Sequence, residues 1–367
     1  MMRVKISIIL LMIVWFFTIG ASDLQAKLDR GIKNTVTSNM FGASGDGTDQ
    51  TKAIQSALDY LERVGGGKLV LGKGTYLLSI AKSIHSKACI VIPAGVIIEG
   101  SGMGVTILKR ISSERKQNGV LLVNKGYDTK GGYKAAGNIM LRNFTITDGD
   151  ITSKPRTYGD LIALGHADNV LIERVQSLNH DQHFVDICGS RNITVRDSIS
   201  NNLQDTYGTS TIQVDRAENL GIWGLLLDGT NPKNITIENN KITSMSEMVL
   251  QLGHDQSIAE DIRVVKNAIN CLNKARAQIA IGKDEDTSIL TANIKDNQIK
   301  LNNTNSVGIN LVTNTANKLE NILIAGNTIT SQRSSATIVG NSVASADFEG
   351  ILYSLYVDLS YAIKVLY

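Results

Sequence analysis

The chain has 367 residues and a formal net charge of +3, with three prolines against thirty-three glycines. No Lys/Arg run marks a basic patch, so the composition excludes a nucleic-acid binder that relies on phosphate contacts, and the small net charge creates no pull toward a membrane surface. Cys89, Cys188 and Cys271 are odd in number and far apart, which excludes a disulfide framework and leaves them expected as buried free thiols.

In chain order, Arg3 and Lys5 precede a nearly unbroken apolar run from Ile6 to Ala21. This is the layout of a secretory signal peptide, cleaved after Ala21 or Ala26. The run is shorter than the ~20 residues that span a bilayer. Residues 1–26 are therefore expected to be removed, leaving a secreted, extracellular chain with no membrane anchor. Cleavage after Ala26 takes away Arg3, Lys5 and Asp23, so residues 27–367, about 340 in number, carry about +2. The closing stretch Ile351 to Tyr367 is apolar, but it is short and contains Asp358 and Lys364.

Asp49 is placed to cap a helix over Gln50 to Arg63, where Ala53, Ile54, Ala57, Leu58 and Leu61 recur at helical spacing. Gly65, Gly66 and Gly67 stop it. Strands follow at Lys68–Leu71, Tyr76–Ser79, Ile90–Ile92 and Val96–Glu99. Residues 40–110 thus form an N-terminal cap and first coils, because a repeat protein needs its open end covered.

From residue 137 to 330 one phrase recurs: a polar residue, alternating apolar positions, then Asn or Asp. It begins at Asn138, Asn169, Asn192, Asn234, Asp261 and Asn321, with a degenerate copy from Thr291, at steps of 31, 23, 42, 27, 30 and 30 residues. Period-2 alternation marks each phrase as a strand with one buried face. A second short strand precedes most copies: Leu161–Leu164, Val185–Ile187, Ile212–Val214, Met248–Leu252, Ile279–Ile281 and Ile309–Leu311. Short strands at this spacing without intervening helices predict an all-β, single-stranded parallel β-helix with an N-terminal capping helix, each coil burying its apolar face against its neighbours. Asn at the corners tolerates the left-handed conformation of tight turns. The 42-residue step holds an excursion from Asn219 to Lys233 that contains Trp223 and is read as a loop off the coil. Residues 340–367 match none of the pattern and form an atypical C-terminal end.

The stretch Phe41-Gly-Ala-Ser-Gly-Asp-Gly-Thr-Asp49-Gln-Thr51, with Gly65-Gly-Gly-Lys-Leu-Val-Leu-Gly-Lys-Gly-Thr-Tyr76 and Val96-Ile-Ile-Glu-Gly-Ser-Gly-Met-Gly104, resembles the opening of the pectate-lyase-like superfamily. In kind, the resemblance covers Met40 to Ile329. It implies a right-handed coil and, for function, a range from lyases, hydrolases and epimerases to phage tailspikes.

Of the five histidines, only His85 lies outside residues 166–254. His180 and His183 fall in a turn before Val185 and are expected to face solvent or a groove. Aligning the short strands puts Ala163, Asp186 and Gln213 in one outward column, with Asp215 and Arg216 beyond. Rungs ~4.8 Å apart and alternate residues ~6.6 Å apart place Asp186 and Asp215 roughly 8 Å from each other. His166 and His254 lie near the corners of their coils, and Asp205 and Tyr207 come from the intervening turn.

Three chemistries fit this patch. A lyase on a uronate polymer needs a base, a partner for the carboxylate and a proton donor, roles that suit His183, Arg216 and Tyr207. An inverting hydrolase needs two carboxyls ~6.5–9.5 Å apart, which suits Asp186 and Asp215. An epimerase uses the lyase parts with a donor on the opposite ring face. His180, His166, Gln213, Asp205, Trp223 and His254 are the candidate substrate-binding residues. A non-catalytic glycan-binding β-helix is the alternative of another class. In each case the partner is a polysaccharide.

Asp181-Gln-His183 followed by Asn192-Ile-Thr-Val-Arg-Asp-Ser resembles the Asp-x-His region of mannuronan C5-epimerases and related alginate lyases, which implies catalytic roles for Asp181 and His183. The family's Tyr and Pro are Leu178 and Gln182 here, and polygalacturonase motifs are absent. Asp284-Glu285-Asp286 could suggest calcium, but its spacing matches no calcium loop and a solvated acidic turn is the preferred reading.

Overall fold

The computed structural model describes Ala26 and residues 32–83, 87–111, 119–149, 159–203, 210–217, 224–246, 248–253, 256–272, 277–282, 287–302, 307–311, 320–331 and 338–340. The expected signal segment, apart from Ala26, and residues 341–367 lie outside them. No helix among the described residues is long and apolar enough to cross a membrane.

The chain winds into a right-handed parallel β-helix. One wall is a nine-stranded parallel sheet in unbroken sequence order: Ala88–Ile92, Val120–Asn124, Ile162–Gly165, Val185–Cys188, Ser210–Asp215, Met248–Leu252, Ala277–Ile281, Val307–Leu311 and Ile338–Gly340. Its register stacks Ile90, Leu122, Ile162, Val185, Ile212, Leu250, Ile279 and Ile309 into one column. All eight are buried. The remaining walls form a larger sheet of nineteen strands.

The corners explain the Asn-led repeat. Asn138, Asn169, Asn192, Asn234, Asp261 and Asn321 all adopt φ between 50° and 62°, where Asn and Asp pay less than other residues that carry a Cβ. Five residues later comes a second left-handed corner, at Asn143, Arg174, Asp197, Asn239, Lys266 and Gly326. Inside the bore, Asn240, Asn267, Asn297 and Asn327 form a ladder in which each amide donates to the next side-chain oxygen at 2.8–3.0 Å. Each of the first three also donates to a backbone carbonyl at 2.9 Å, so these buried amides are paired.

The capping helix spans Thr51–Arg63, one residue shorter than expected at its start. Asp49 still serves that end, accepting from the Thr51 N–H at 3.0 Å and its hydroxyl at 2.7 Å. Ile54, Ala57, Leu58 and Leu61 are buried against the first coil. The glycine stop has a steric cause: a Cβ at Gly66 would meet the Gly95 carbonyl at 2.6 Å, and one at Gly67 the Asn34 carbonyl at 2.5 Å. The three cysteines are buried, and none is joined in a disulfide.

One core position is poorly served. Gln278, beside Ile279 of the inner column, is fully buried, and neither amide atom has a partner. A buried polar group without partners costs about 1–3 kcal/mol. Gln278→Leu is therefore expected to raise stability by about 1–2 kcal/mol in urea unfolding; a fall would show that the amide is satisfied.

Candidate active site

The nine-stranded sheet departs from strict alternation at one place on successive coils. Leu161 and Ile162 both face the core, as do Phe184 and Val185. On the next coil Thr211 bonds the buried Ser244 hydroxyl at 2.9 Å and Ile212 joins the core. Two inward residues in a row throw the preceding residue outward. Asp160, His183 and Ser210 thus share the outer face with Ala163, Asp186 and Gln213, and backbone bonds Leu161 N–H to His183 O and Phe184 N–H to Thr211 O keep the rungs aligned.

His183 is the centre. Its Nδ1 lies 2.7 Å from Asp160 Oδ1, and its backbone N–H donates to the same oxygen at 3.2 Å. Its Nε2 is buried and has no hydrogen-bond partner. Burial alone would lower its basicity, but Asp160, and beyond it Asp186 and Asp215, more than offset this and hold its pKa above the usual histidine value. Asp186 is pushed up to about 7, chiefly by burial and then by the Asp160 charge. A carboxylic acid that keeps its proton near neutrality beside a basic imidazole is what acid–base chemistry requires.

The carboxylates of Asp186 and Asp215 come closer than expected. Together with Cys188 Sγ they present ligand-type atoms within 4.8 Å of one another. Asp215 registers beside Cys188, and the thiol donates to Asp186 Oδ1 at 3.3 Å. The side chains therefore lean together where backbone spacing alone suggests roughly 8 Å. Asp160, His183 and Asp186 form a second such group within 4.8 Å. These two groups could hold a metal ion, but imidazole and thiol donors do not suit calcium, which takes oxygen ligands.

Other expectations need correction. His180 does not face solvent: it is fully buried, its Nδ1 lies 3.0 Å from the Gln182 carbonyl, and burial pushes its pKa down to about 3. His166 is no substrate-binding group, because its fully buried imidazole sits between the carbonyls of Gly132 and Leu226 at 3.0 and 2.9 Å and clips two loops together. The Arg216 guanidinium bonds the carbonyls of Gly229 at 3.1 Å and Gln256 at 3.4 Å, tying the 224–232 excursion to the next coil. Gln213 is on the predicted column and its amide donates to Asp215 Oδ2. Asp181 is buried in the turn, with its backbone N–H bonded to Asp148 Oδ2 at 3.1 Å. Asp205, Tyr207, Trp223, His254 and the acidic turn at Asp284 lie outside the described residues.

Sequence reasoning passed over Asp160, although one signal marks it. The 23-residue step from Asn169 to Asn192, added to 160, lands on His183. It also passed over Arg110 and Asp148. Fully buried, Arg110 Nε bonds Asp148 Oδ1 at 2.6 Å, and its NH2 bonds the Gly119 carbonyl at 2.9 Å. Asp148 in turn holds the Asp181 turn, so this ion pair underlies the site.

Fold and site together define a right-handed parallel β-helix with a buried Asp–His pair on the outer face of one sheet. No family model matches the chain. Among curated proteins it is similar to alginate lyase 7 of Azotobacter vinelandii, 32% identical over 164 residues, covering 44% of this chain and 19% of that protein. It is also similar to the mannuronan C5-epimerase AlgE4 of the same organism, 32% identical over 176 residues, covering 44% of this chain and 29% of that protein. The match thus spans less than a third of either relative. Among solved structures, the surface adhesin PfbA of Streptococcus pneumoniae superposes with a TM-score of 0.66 at 18% identity, covering 90% of this chain and 78% of that one.

Proposed function

We propose that this protein acts on a polysaccharide, and that its reaction is β-elimination within a uronate-containing polymer. The observation that carries this reading is the 2.7 Å Asp160–His183 pair, whose Nε2 is unpartnered and whose imidazole feels the charges of Asp186 and Asp215. Likeness to an alginate lyase and an epimerase supports the substrate class.

In such a reaction His183 Nε2 takes the proton from C5, the C4–O bond breaks as its leaving oxygen takes up a proton from water, and a C4–C5 double bond forms. Asp160 holds Nδ1–H and so fixes the imidazole for the transfer. Asp186, protonated below about 7, accommodates the substrate carboxylate that an ionised neighbour would repel. The base must be neutral and the acid protonated, so a bell-shaped rate profile is expected. These side chains are buried, so polymer entry requires what covers them to move. An inverting hydrolase fits less well, since Asp186 and Asp215 approach more closely than the ~6.5–9.5 Å of such pairs.

The test is ultraviolet absorbance of the unsaturated uronate while the protein is incubated with a panel of uronate polymers. His183→Ala is expected to remove the signal, a loss of at least about 10²-fold. New reducing ends without that absorbance would replace elimination by hydrolysis, and neither signal would leave a glycan-binding scaffold.

A further inference from the structure

Three buried polar atoms without partners lie on neighbouring rungs of the outer face: His183 Nε2, Ser210 Oγ and Gln251 Nε2. Ser210 is fully buried and Gln251 is 1% exposed. Native proteins rarely leave such groups unpaired, and three together point to something that binds there. Their places follow from the register. Val185 pairs with Ile212, which sets Ser210 on the rung after His183 in the same outward column, while Asp160 occupies the rung before. Gln213 pairs with Gln251, which puts the Gln251 amide one rung past Ser210 in the adjacent column. Ser210 itself pairs with Met248, which packs on Ala280 and gives the site an apolar edge.

We propose that Asp160, His183 and Ser210 form an acyl-transfer triad spread over three consecutive coils, with Gln251 as an oxyanion donor, acting on small O-acyl esters of a sugar. Rungs ~4.8 Å apart leave the Ser210 hydroxyl a side-chain rotation away from the free imidazole nitrogen. Such nucleophile–base bonds are often loose before substrate binds. Ser210 Oγ attacks the ester carbonyl as its proton passes to His183 Nε2. The tetrahedral oxyanion accepts a hydrogen bond from the Gln251 N–H, and collapse expels the sugar alkoxide, which receives the proton held on His183 Nε2. Water, deprotonated by His183, then attacks the acyl-serine, releasing the carboxylic acid and restoring Ser210. The apolar edge at Met248 suits a short acyl chain. Only the sugar half of the substrate rests on the polysaccharide reading above; the nucleophile does not.

The test treats the full-length protein with a fluorophosphonate probe, which loses fluoride as Ser Oγ bonds phosphorus, and maps the adduct by mass spectrometry. Hydrolysis of p-nitrophenyl acetate and release of acetate from an O-acetylated uronate polymer are followed alongside. One adduct on the peptide containing Ser210 is expected, absent in Ser210→Ala and slowed about 10²–10⁴-fold in His183→Gln. Gln251→Leu is expected to slow ester turnover by about 10²-fold or more. Circular dichroism establishes that each variant is folded. An unlabelled native protein, or labelling unaffected by His183→Gln in a folded variant, overturns the triad. Labelling of Ser210 without any unsaturated product would sustain the triad while removing the elimination reading; unsaturated product without labelling would do the reverse.

Discussion

Arg110→Ala is expected to cost about 3–5 kcal/mol of stability, the effect of stranding one member of a buried ion pair. Both partners are shut away from water, and the guanidinium bonds Asp148 at 2.6 Å while its NH2 reaches the carbonyls of Gly119 and Asp160 at 2.9 and 3.5 Å. Domains of ordinary stability hold about 5–15 kcal/mol in reserve, so this one change removes a large fraction of it. Arg110→Lys is expected to rescue little, because a point-like ammonium cannot reproduce donation in these divergent directions. Asp148 also accepts from the Asp181 N–H, so the variant loosens the turn that carries His183 as well. Urea unfolding measures the loss; a change under about 1 kcal/mol, of the size seen for exposed pairs, would contradict the buried-pair account.

Asp186→Asn is expected to stabilise the protein at neutral and higher pH and to make little difference in acid. The free side chain titrates at its ordinary value of 3.8, whereas burial and Asp160 raise the folded value to about 7. The folded state therefore holds its proton more tightly than the unfolded chain. Asp186's contribution is fully present below about pH 4, fades as pH rises toward 7, and is gone above it. With roughly 1.4 kcal/mol for each pKa unit, the ceiling on the effect is about 4 kcal/mol. The amide of Asn carries no such proton, so the difference in Tm between variant and native protein is expected to grow from pH 4 to 7 and then level off. His183, whose folded pKa is also raised, adds a further loss at pH above its ordinary 6.5. A Tm difference independent of pH would contradict the buried acid.

The coil was legible because its constraints are local. A left-handed corner selects Asn or Asp wherever it falls, so Asn138, Asn169 and Asn192 announced both the turn and its period. The shared column of Ala163, Asp186 and Gln213 was legible for the same reason, since parallel stacking repeats register from coil to coil. The slip in alternation was not. Leu161-Ile162 and Phe184-Val185 read as ordinary apolar pairs, and nothing in them says that both face inward and eject Asp160 and His183 to the outer face. The Arg110–Asp148 pair is separated by 38 residues and joins segments with no pattern in common. His166 misled because a corner histidine looks available in sequence, while loops far along the chain supply the carbonyls that enclose it.

The large sheet carries an alternating ladder in which Glu99, Arg142, Glu173, Arg196 and Glu238 register one above another on successive coils. Ion pairs of 3.2 Å between Arg142 and Glu99 and 3.0 Å between Arg196 and Glu173 run along it. The stack therefore has a parity. Excising the coil of Glu173 would bring Arg142 against Arg196, like charges set directly opposite, which destabilises a sheet. Excising the coils of Glu173 and Arg196 together would bring Arg142 against Glu238 and restore the alternation. Loops in this molecule can lengthen freely, as the 42-residue step shows, but along this stretch coils can be gained or lost without penalty only in pairs.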